Sequence, residues 1–231
     1  VAPCEADAQL AHLALSGRID VCATEDADLL AYGCPRVLFG LDASGRGREV
    51  RLEDVPRSRG LAPFCFTRDS LPDLAVLSGC DYLPSLPRVG LRTAAQLLHR
   101  SAGNVARALL LARRDGIPVP ADYAQQVAEA RLVYTSQIVF NMETGSLQHL
   151  RPVPEGASFR AGFLGPALAA DLARGVAAGR LHPVTYRPLD AAEVRDVSPE
   201  LVDQAAADQG EPTVSKGMEA LVGLRIPEKE E

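Results

Sequence analysis

Two prolines, Pro84 and Pro87, interrupt an otherwise helical stretch and force the chain to turn twice within a few residues. Neither fits inside a helix, because proline lacks a backbone N–H and its ring collides with the preceding turn. After a helix over Asp69 to Leu77, the segment SGCDYLPSLPRVGLRTAAQLL therefore reads as a loop from Asp81 to Gly90 leading into a helix from Leu91 to His99. Gly90 opens the second helix, where a missing side chain allows close backbone approach to a ligand. The first N–H groups there are free, and Arg88 and Arg92 flank them. Such a helix start suits a phosphate, and carbonyls exposed by the irregular loop suit a monovalent cation. A plain helix–loop–helix connection fits the spacing equally well.

On either side of this element the chain alternates. The spacing predicts a helix from Glu5 to Leu15 ending at Gly17, a strand from Ile19 to Ala23, and a turn-helix from Asp26 to Tyr32. Arg36 to Leu41 and Glu49 to Leu52 flank the glycine-rich turn DASGRGR and read as a β-hairpin. Further helices are predicted at Gly103–Arg113, Ala121–Phe140 and Pro166–Ala178. Strand–helix alternation followed by a run of helices predicts an α/β core with a helical C-terminal lobe. No internal repeat is visible. After Leu189 the hydrophobic periodicity fades into Ala, Asp, Glu, Pro and Ser, and residues 190–231 read as a flexible, disordered acidic tail.

Net charge is −6, which taken alone argues against a nucleic-acid binder. Its distribution argues otherwise. The tail holds eleven acids and four bases, so residues 1–189 are left with 19 acids and 20 bases. Within that neutral body, residues 1–30 carry Glu5, Asp7, Asp20, Glu25, Asp26 and Asp28 against Arg18. Residues 86–114 carry Arg88, Arg92, Arg100, Arg107, Arg113 and Arg114 and no acid. No apolar run reaches the roughly 18 residues that span a bilayer, so no membrane role is expected. The opening VAPCEADAQL does not read as a signal peptide, and a start at Val1 suggests a chain cut from something longer. The five cysteines form no CxxC motif, which favours a reduced, intracellular protein.

The acids are the informative residues. Glu5 and Asp7 sit in PCEAD, after what reads as a strand end, and Asp26 and Asp28 follow the strand Ile19–Ala23. Open α/β sheets place their sites at such C-terminal strand ends. Asp81, at the end of a helix, is poorly placed for the helix dipole unless something compensates. Carboxylates about 4 Å apart repel by about 4 kcal/mol at an effective dielectric near 20. A hard divalent cation bound by oxygen ligands removes that penalty, and two such ions serve phosphodiester cleavage. The scattered histidines His12, His99, His149 and His182 offer no rival constellation. Helix-capping and surface acids are the alternative reading of the same residues.

Together PCEADAQLAHLALSGRIDVCATEDADLLAYGCPRVLF and SGCDYLPSLPRVGLRTAAQLL resemble the internal conserved region and the helix–two-turn–helix element of the XPG/flap-endonuclease superfamily of structure-specific 5′ nucleases. Within it, SGCDYLPSLP and FLGPALAADLARGVAAGRLHPVTYRPL are most similar to the exonuclease branch, and the likeness runs over residues 1–189. The resemblance implies a PIN-like 5′-nuclease core: a partial nuclease sheet flanked by helices (1–77), a helix–two-turn–helix DNA-binding region (78–145), a C-terminal helical lobe (146–189) and the tail (190–231). It implies that Glu5, Asp7, Asp26, Asp28 and Asp81 hold two Mg²⁺ ions, or Mn²⁺, and that Ser78, Ser85 and Val89 hold K⁺. Arg88, Gly90, Arg92 and Thr93 would then meet duplex DNA bearing 5′ ends, nicks or flaps. The implied activity is 5′ to 3′ exonuclease and flap cleavage in repair, mismatch repair and recombination, in the nucleus, with repair proteins as partners of the tail.

Three departures stand out. The family's N-terminal region, with two further metal-binding aspartates, is missing, so the chain alone is expected to be inactive or very weak. Arg88 stands where the family has the first glycine of a GxG turn, and Ala27 replaces a serine between Asp26 and Asp28. A flap endonuclease and a non-catalytic duplex-binding module are the rival readings.

Overall fold

The computed structural model describes residues 1–64 and 66–189. Helix α1 (Ala6–Leu15) begins at Glu5, whose backbone is still extended. It ends where Gly17 turns left-handed at φ +70°, returning the N–H groups of Gly17 and Arg18 to the carbonyls of Ala14 and Leu13. Strand β1 (Cys22–Ala23) is two residues long, shorter than the sequence predicts. Helix α2 (Asp28–Tyr32) follows, then β2 (Arg36–Phe39) and β3 (Arg48–Arg51).

These strands form one sheet in the order β1-β2-β3. Cys22 and Ala23 lie parallel to Val37 and Leu38, while β2 and β3 pair antiparallel with Val37 opposite Val50. The predicted hairpin is therefore present. Its turn is closed by the Asp42 carboxylate, which accepts from the N–H groups of Ser44 (2.8 Å) and Arg46 (2.9 Å).

Helix α3 (Leu71–Ser78) is the hub, with all eight residues buried. Its sequence LPDLAVLS is apolar around the whole circumference, as a helix covered on every side must be. Helices α2, α4 (Leu91–Arg100) and α6 (Tyr123–Ser136) cover it. Each fully buried leucine or valine there contributes about 1.5–3 kcal/mol. The polar exceptions are Ser78 and Asp73; the Asp73 Oδ1 lies 2.8 Å from the Arg131 guanidinium of α6, which offsets only part of the cost of burial, so the carboxyl stays above its ordinary value. Helix α5 (Val105–Arg114) is capped by Asn104, which accepts from the Arg107 N–H at 2.9 Å.

The helix predicted over Ala121–Phe140 ends early, at Ser136, and becomes strand β4 (Ile138–Asn141), paired antiparallel with β5 (Ser146–His149). Tertiary hydrogen bonds decide this. Gln137 is extended and buried, its carbonyl accepts from Leu150, and the Ile138 N–H donates to Leu164. The hairpin β4–β5 spans the expected boundary between residues 145 and 146, and the C-terminal lobe holds β5 and helix α7 (Ala170–Ala177). The fold is α/β: small sheets among packed helices. No helix among the described residues is long and apolar enough to cross a membrane. The predicted acidic tail, 190–231, lies outside the described residues.

Candidate metal centre and nucleic-acid interface

Three segments deliver the five predicted acids to one neighbourhood. Glu5 and Asp7 stand at the start of α1, where carboxylates suit the helix dipole. No strand precedes them among the described residues, so their predicted position at a strand end is not what the structure shows. Asp26 and Asp28 follow β1 as expected. The Asp26 carboxylate accepts the Asp28 N–H at 2.8 Å, and the Asp26 N–H donates to Thr24 Oγ1 at 3.0 Å, which folds the loop tightly into α2.

Asp81 is not in the last turn of a helix. The chain leaves α3 at Gly79, which sits at φ +100° with the Ser85 backbone 3.2 Å from where a Cβ would stand. Cys80 and Leu83 then exchange backbone hydrogen bonds of 3.0 and 3.2 Å, so Asp81 and Tyr82 form the tip of a tight turn. That turn takes Asp81 out of the helix C-terminus, where the dipole would oppose its charge.

The charges of these acids act on one another. Burial, then Asp26, Glu5 and Asp81, pushes the Asp7 carboxyl up to about 6. Burial pushes Asp28 up to about 7; the Tyr134 hydroxyl pulls the other way, and Asp26, Asp81 and Asp7 add to the rise. Asp81 is raised by burial and by Asp26. All five acids thus share one field, although among the described residues no three His, Cys, Asp or Glu side chains are spaced to hold a metal ion.

Asp28 shows what the cluster is suited to. It is 3% exposed, its Oδ2 accepts from the Tyr134 hydroxyl at 2.7 Å, and its Oδ1 is buried with no partner. An unsatisfied buried acceptor costs about 1–3 kcal/mol. A hard cation answers both the orphaned oxygen and the mutual repulsion, and an all-oxygen donor set fits Mg²⁺ or Mn²⁺. The donors fit such an ion in kind; their present spacing is open.

Sequence reasoning missed the wall behind Asp28. Tyr134 lies edge-on to Tyr32 (centroids 5.0 Å) and Tyr82 (5.5 Å). The Tyr32 hydroxyl donates to Gln137 Oε1 at 2.8 Å and shares a 2.8 Å bond with the Tyr82 hydroxyl. At the far end of α2, Gly33 adopts φ +93°, and the Arg151 guanidinium donates to the Tyr32 carbonyl at 3.3 Å. Only the TEDAD and SGCDY motifs hinted at this packing, and neither names its partners.

The two-turn element is as drawn from the prolines. Its second turn closes through the Val89 N–H to the Leu86 carbonyl at 2.9 Å, with Arg88 left-handed at φ +65°. Gly90 has φ −109°, and a Cβ there would meet open space, so the fold does not itself require glycine. The start of α4 carries no side-chain cap, and Thr93 is half-buried in its first turn. Ser78 is buried with its hydroxyl donating to the Ala75 carbonyl at 3.0 Å, Ser85 is exposed against Gly79, and Val89 is buried.

Not all six arginines are available. Arg100 and Arg114 face Asp115, which lies one residue beyond the acid-free stretch. Arg88 and Arg113 reach backbone carbonyls at 3.4 Å. Within the described residues the guanidinium groups of Arg92 and Arg107 have no hydrogen bond or ion pair.

Residues 1–81 match the XPG I-region family, a span that contains all five acids and ends on Asp81. The chain is also similar to exonuclease 1 of Oryza sativa subsp. japonica, 36% identical over 190 residues, which cover 82% of this chain and 23% of that protein. It is 34% identical over 194 residues to exonuclease 1 of Arabidopsis thaliana, covering 84% of this chain and 26% of that protein. The chain therefore spans about a quarter of the length of the curated relatives it matches. Among solved structures, flap endonuclease-1 from Methanococcus jannaschii overlays 58% of this chain and 37% of its own, with 26% identity and a TM-score of 0.43.

Proposed function

We propose that this chain carries part of the active centre and the duplex grip of a 5′ exonuclease that uses divalent cations to hydrolyse DNA phosphodiesters. The observation that carries the reading is the meeting of five acids in an XPG I-region around a buried carboxylate oxygen with no partner. The similarity to exonuclease 1 proteins, 36% identical over 82% of the chain for that of Oryza sativa, supports the exonuclease reading; coverage by itself does not separate it from a flap endonuclease, since exonuclease 1 of Danio rerio and flap endonuclease 1 of Branchiostoma floridae each match 67% of the chain.

Glu5, Asp7, Asp26, Asp28 and Asp81 would hold two Mg²⁺ or Mn²⁺ ions. Such ions supply a more acidic water and neutralise charge at the phosphodiester. The chain's own residues set the stage: Asp26 fixes the α2 entry, the tight turn presents Asp81, and the tyrosine wall keeps water from the back of Asp28. The uncapped start of α4, with Arg88, Gly90, Arg92 and Thr93, would receive a backbone phosphate of duplex DNA carrying 5′ ends, nicks or flaps. Ser78, Ser85 and Val89 would supply the oxygens for K⁺ in the loop between. Repair proteins as partners of residues 190–231, mismatch repair and a nuclear location belong to the same proposal.

The chain spans about a quarter of the length of its exonuclease 1 relatives, and the 231 residues by themselves are expected to turn over weakly or not at all. The test is two assays on this chain. Mn²⁺ binding, followed by loss of the free-ion electron paramagnetic resonance signal, should be saturable and abolished by Asp26→Ala. Duplex binding should weaken with salt and with Arg92→Ala. Salt-dependent duplex binding without any Mn²⁺ binding would favour the non-catalytic module instead, a reading that the unpaired Arg92 and Arg107 also fit.

A further inference from the structure

We infer that Tyr134 is a positioning residue for the proposed metal centre: its hydroxyl, donated to Asp28 Oδ2, turns the other carboxylate oxygen toward the acid cluster and keeps it free for a cation. The inference rests on the metal-dependent reading of the acid cluster and goes beyond it. It starts from a division of labour within one side chain. Asp28 has two buried oxygens; Oδ2 is occupied by Tyr134 at 2.7 Å, and Oδ1 is occupied by nothing.

An aspartate at the first position of a helix ordinarily turns to its own backbone N–H groups. Asp28 makes no such bond: α2 has no side-chain cap, and its own N–H donates to Asp26 at 2.8 Å. Its side chain is instead engaged from across the fold by a residue of α6, 106 positions later in the chain. Tyr134 is itself immobile. It is 0% exposed, and its ring is wedged edge-on between Tyr32 and Tyr82. A phenol locked in this way fixes both the direction and the distance of its hydrogen bond, as partners behind metal ligands do when they hold a ligand in one orientation. Phenylalanine would fill the same space and lose the donor.

The test compares Tyr134→Phe with Tyr32→Phe in the intact chain by Mn²⁺ titration, reading the free-ion paramagnetic resonance signal, alongside thermal melting without metal. Tyr32 belongs to the same aromatic cluster and gives up two hydrogen bonds, to Tyr82 and Gln137 and not to Asp28, while phenylalanine keeps its ring in the wall. Tyr134→Phe should weaken Mn²⁺ binding about tenfold, whereas Tyr32→Phe should lower the melting temperature and leave Mn²⁺ affinity at the wild-type value. Equal affinity losses in both variants would reduce Tyr134 to a packing residue and overturn the inference. So would a Tyr134→Phe protein that binds Mn²⁺ like the wild type. Failure of the wild-type chain to bind Mn²⁺ at all would be a different result, removing the metal-dependent reading and this inference with it.

Discussion

The acid cluster and the arginine-bearing two-turn element are built on opposite principles. Three of the acids are drawn inward: Asp28 is buried, Asp7 and Asp26 are half-buried, and Asp28 backs onto a wall of tyrosines, while Glu5 and Asp81 are exposed and act on the others by their charge. The arginines face outward, and Arg92 and Arg107 are exposed, with no hydrogen bond or ion pair to their guanidinium groups among the described residues. Like charges held in a half-dry pocket store repulsion that a ligand can release, whereas solvated charges store almost none and act through the field they project. The first arrangement sacrifices stability for a strong, local demand for a cation. The second costs the fold little and should give graded, salt-sensitive attraction for a polyanion. If that contrast is right, perturbing the two regions should give different signatures.

The largest effect is expected from Asp28→Asn. The amide keeps the size of the side chain and can still accept from Tyr134, but it removes the buried charge. Mn²⁺ binding should fall by two orders of magnitude or more, while the metal-free protein gains stability on the order of 3 kcal/mol at pH 8. Melting and Mn²⁺ titration on the same sample check both halves. A variant that loses stability as well as affinity would show that the cluster is not strained.

The next effect is on pH dependence. Asp7 and Asp28 have folded-state values near 6 and 7 against an ordinary 3.8. Between about pH 4 and pH 7 the folded chain therefore holds protons that the unfolded chain has released. Their contribution to stability is fully present below about pH 4 and is lost as pH rises through 6 and 7. Asp42, Glu49 and Asp115 are shifted the other way, so their contributions fade only when pH drops toward or below the usual carboxylate range. His12, made less basic by burial, opposes the trend at mildly acidic pH. Without divalent ions the chain should melt several degrees higher at pH 5.5 than at pH 8, and millimolar Mn²⁺ at pH 8 should close most of that gap. A flat profile in scanning calorimetry would remove the stored repulsion on which the comparison rests.

The same contrast explains what could be read in the sequence. Features governed by local chemistry were legible: two prolines dictated two turns, DASGRGR closed a hairpin, and paired acids marked the loop into α2. Features governed by distant partners were not. Nothing near Asp28 announces Tyr134, and nothing in QIVFN says that Gln137 will be claimed by Tyr32 and Leu150, ending α6 and starting a strand. Asn141 and Gly145 did carry a turn signal: Asn141 Oδ1 accepts from Glu143 at 2.8 Å, and Gly145 sits at φ +65°. The helical pattern before them concealed it. The acid-free stretch ending at Arg114 likewise concealed Asp115, which lies next along the chain and engages Arg100 and Arg114.

On the outward side the effects should be smaller and should scale with salt. Arg92→Ala removes one unpaired guanidinium beside the start of α4. Duplex affinity should drop about fivefold near 0.1 M salt, and the slope of log K against log salt should shrink by about 0.9, as for one lost phosphate contact. Arg100→Ala should change both quantities much less, because Asp115 already neutralises that side chain. Fluorescence anisotropy at several salt concentrations separates the two variants. Equal losses would mean that pairing within the fold does not decide which arginines reach DNA.

The smallest effect tests whether the outward region carries any strain at all. Arg88 holds φ +65°, a conformation that costs a non-glycine residue about 1–2 kcal/mol. Its 3.4 Å contact to the Gly116 carbonyl is long and exposed and recovers little of that cost. Arg88→Gly relieves the backbone but gives the unfolded chain more freedom, so the net gain should be only about 0.5 kcal/mol, or a degree or two in melting temperature. Should the arginine be there to meet a phosphate, the glycine variant must also bind duplex DNA more weakly, with a shallower salt slope than the wild type. Stability rising while affinity falls would place at this turn, in miniature, the exchange that Asp28 makes at the acid cluster. Stability rising with affinity unchanged would leave the acid cluster as the region where strain is kept for function.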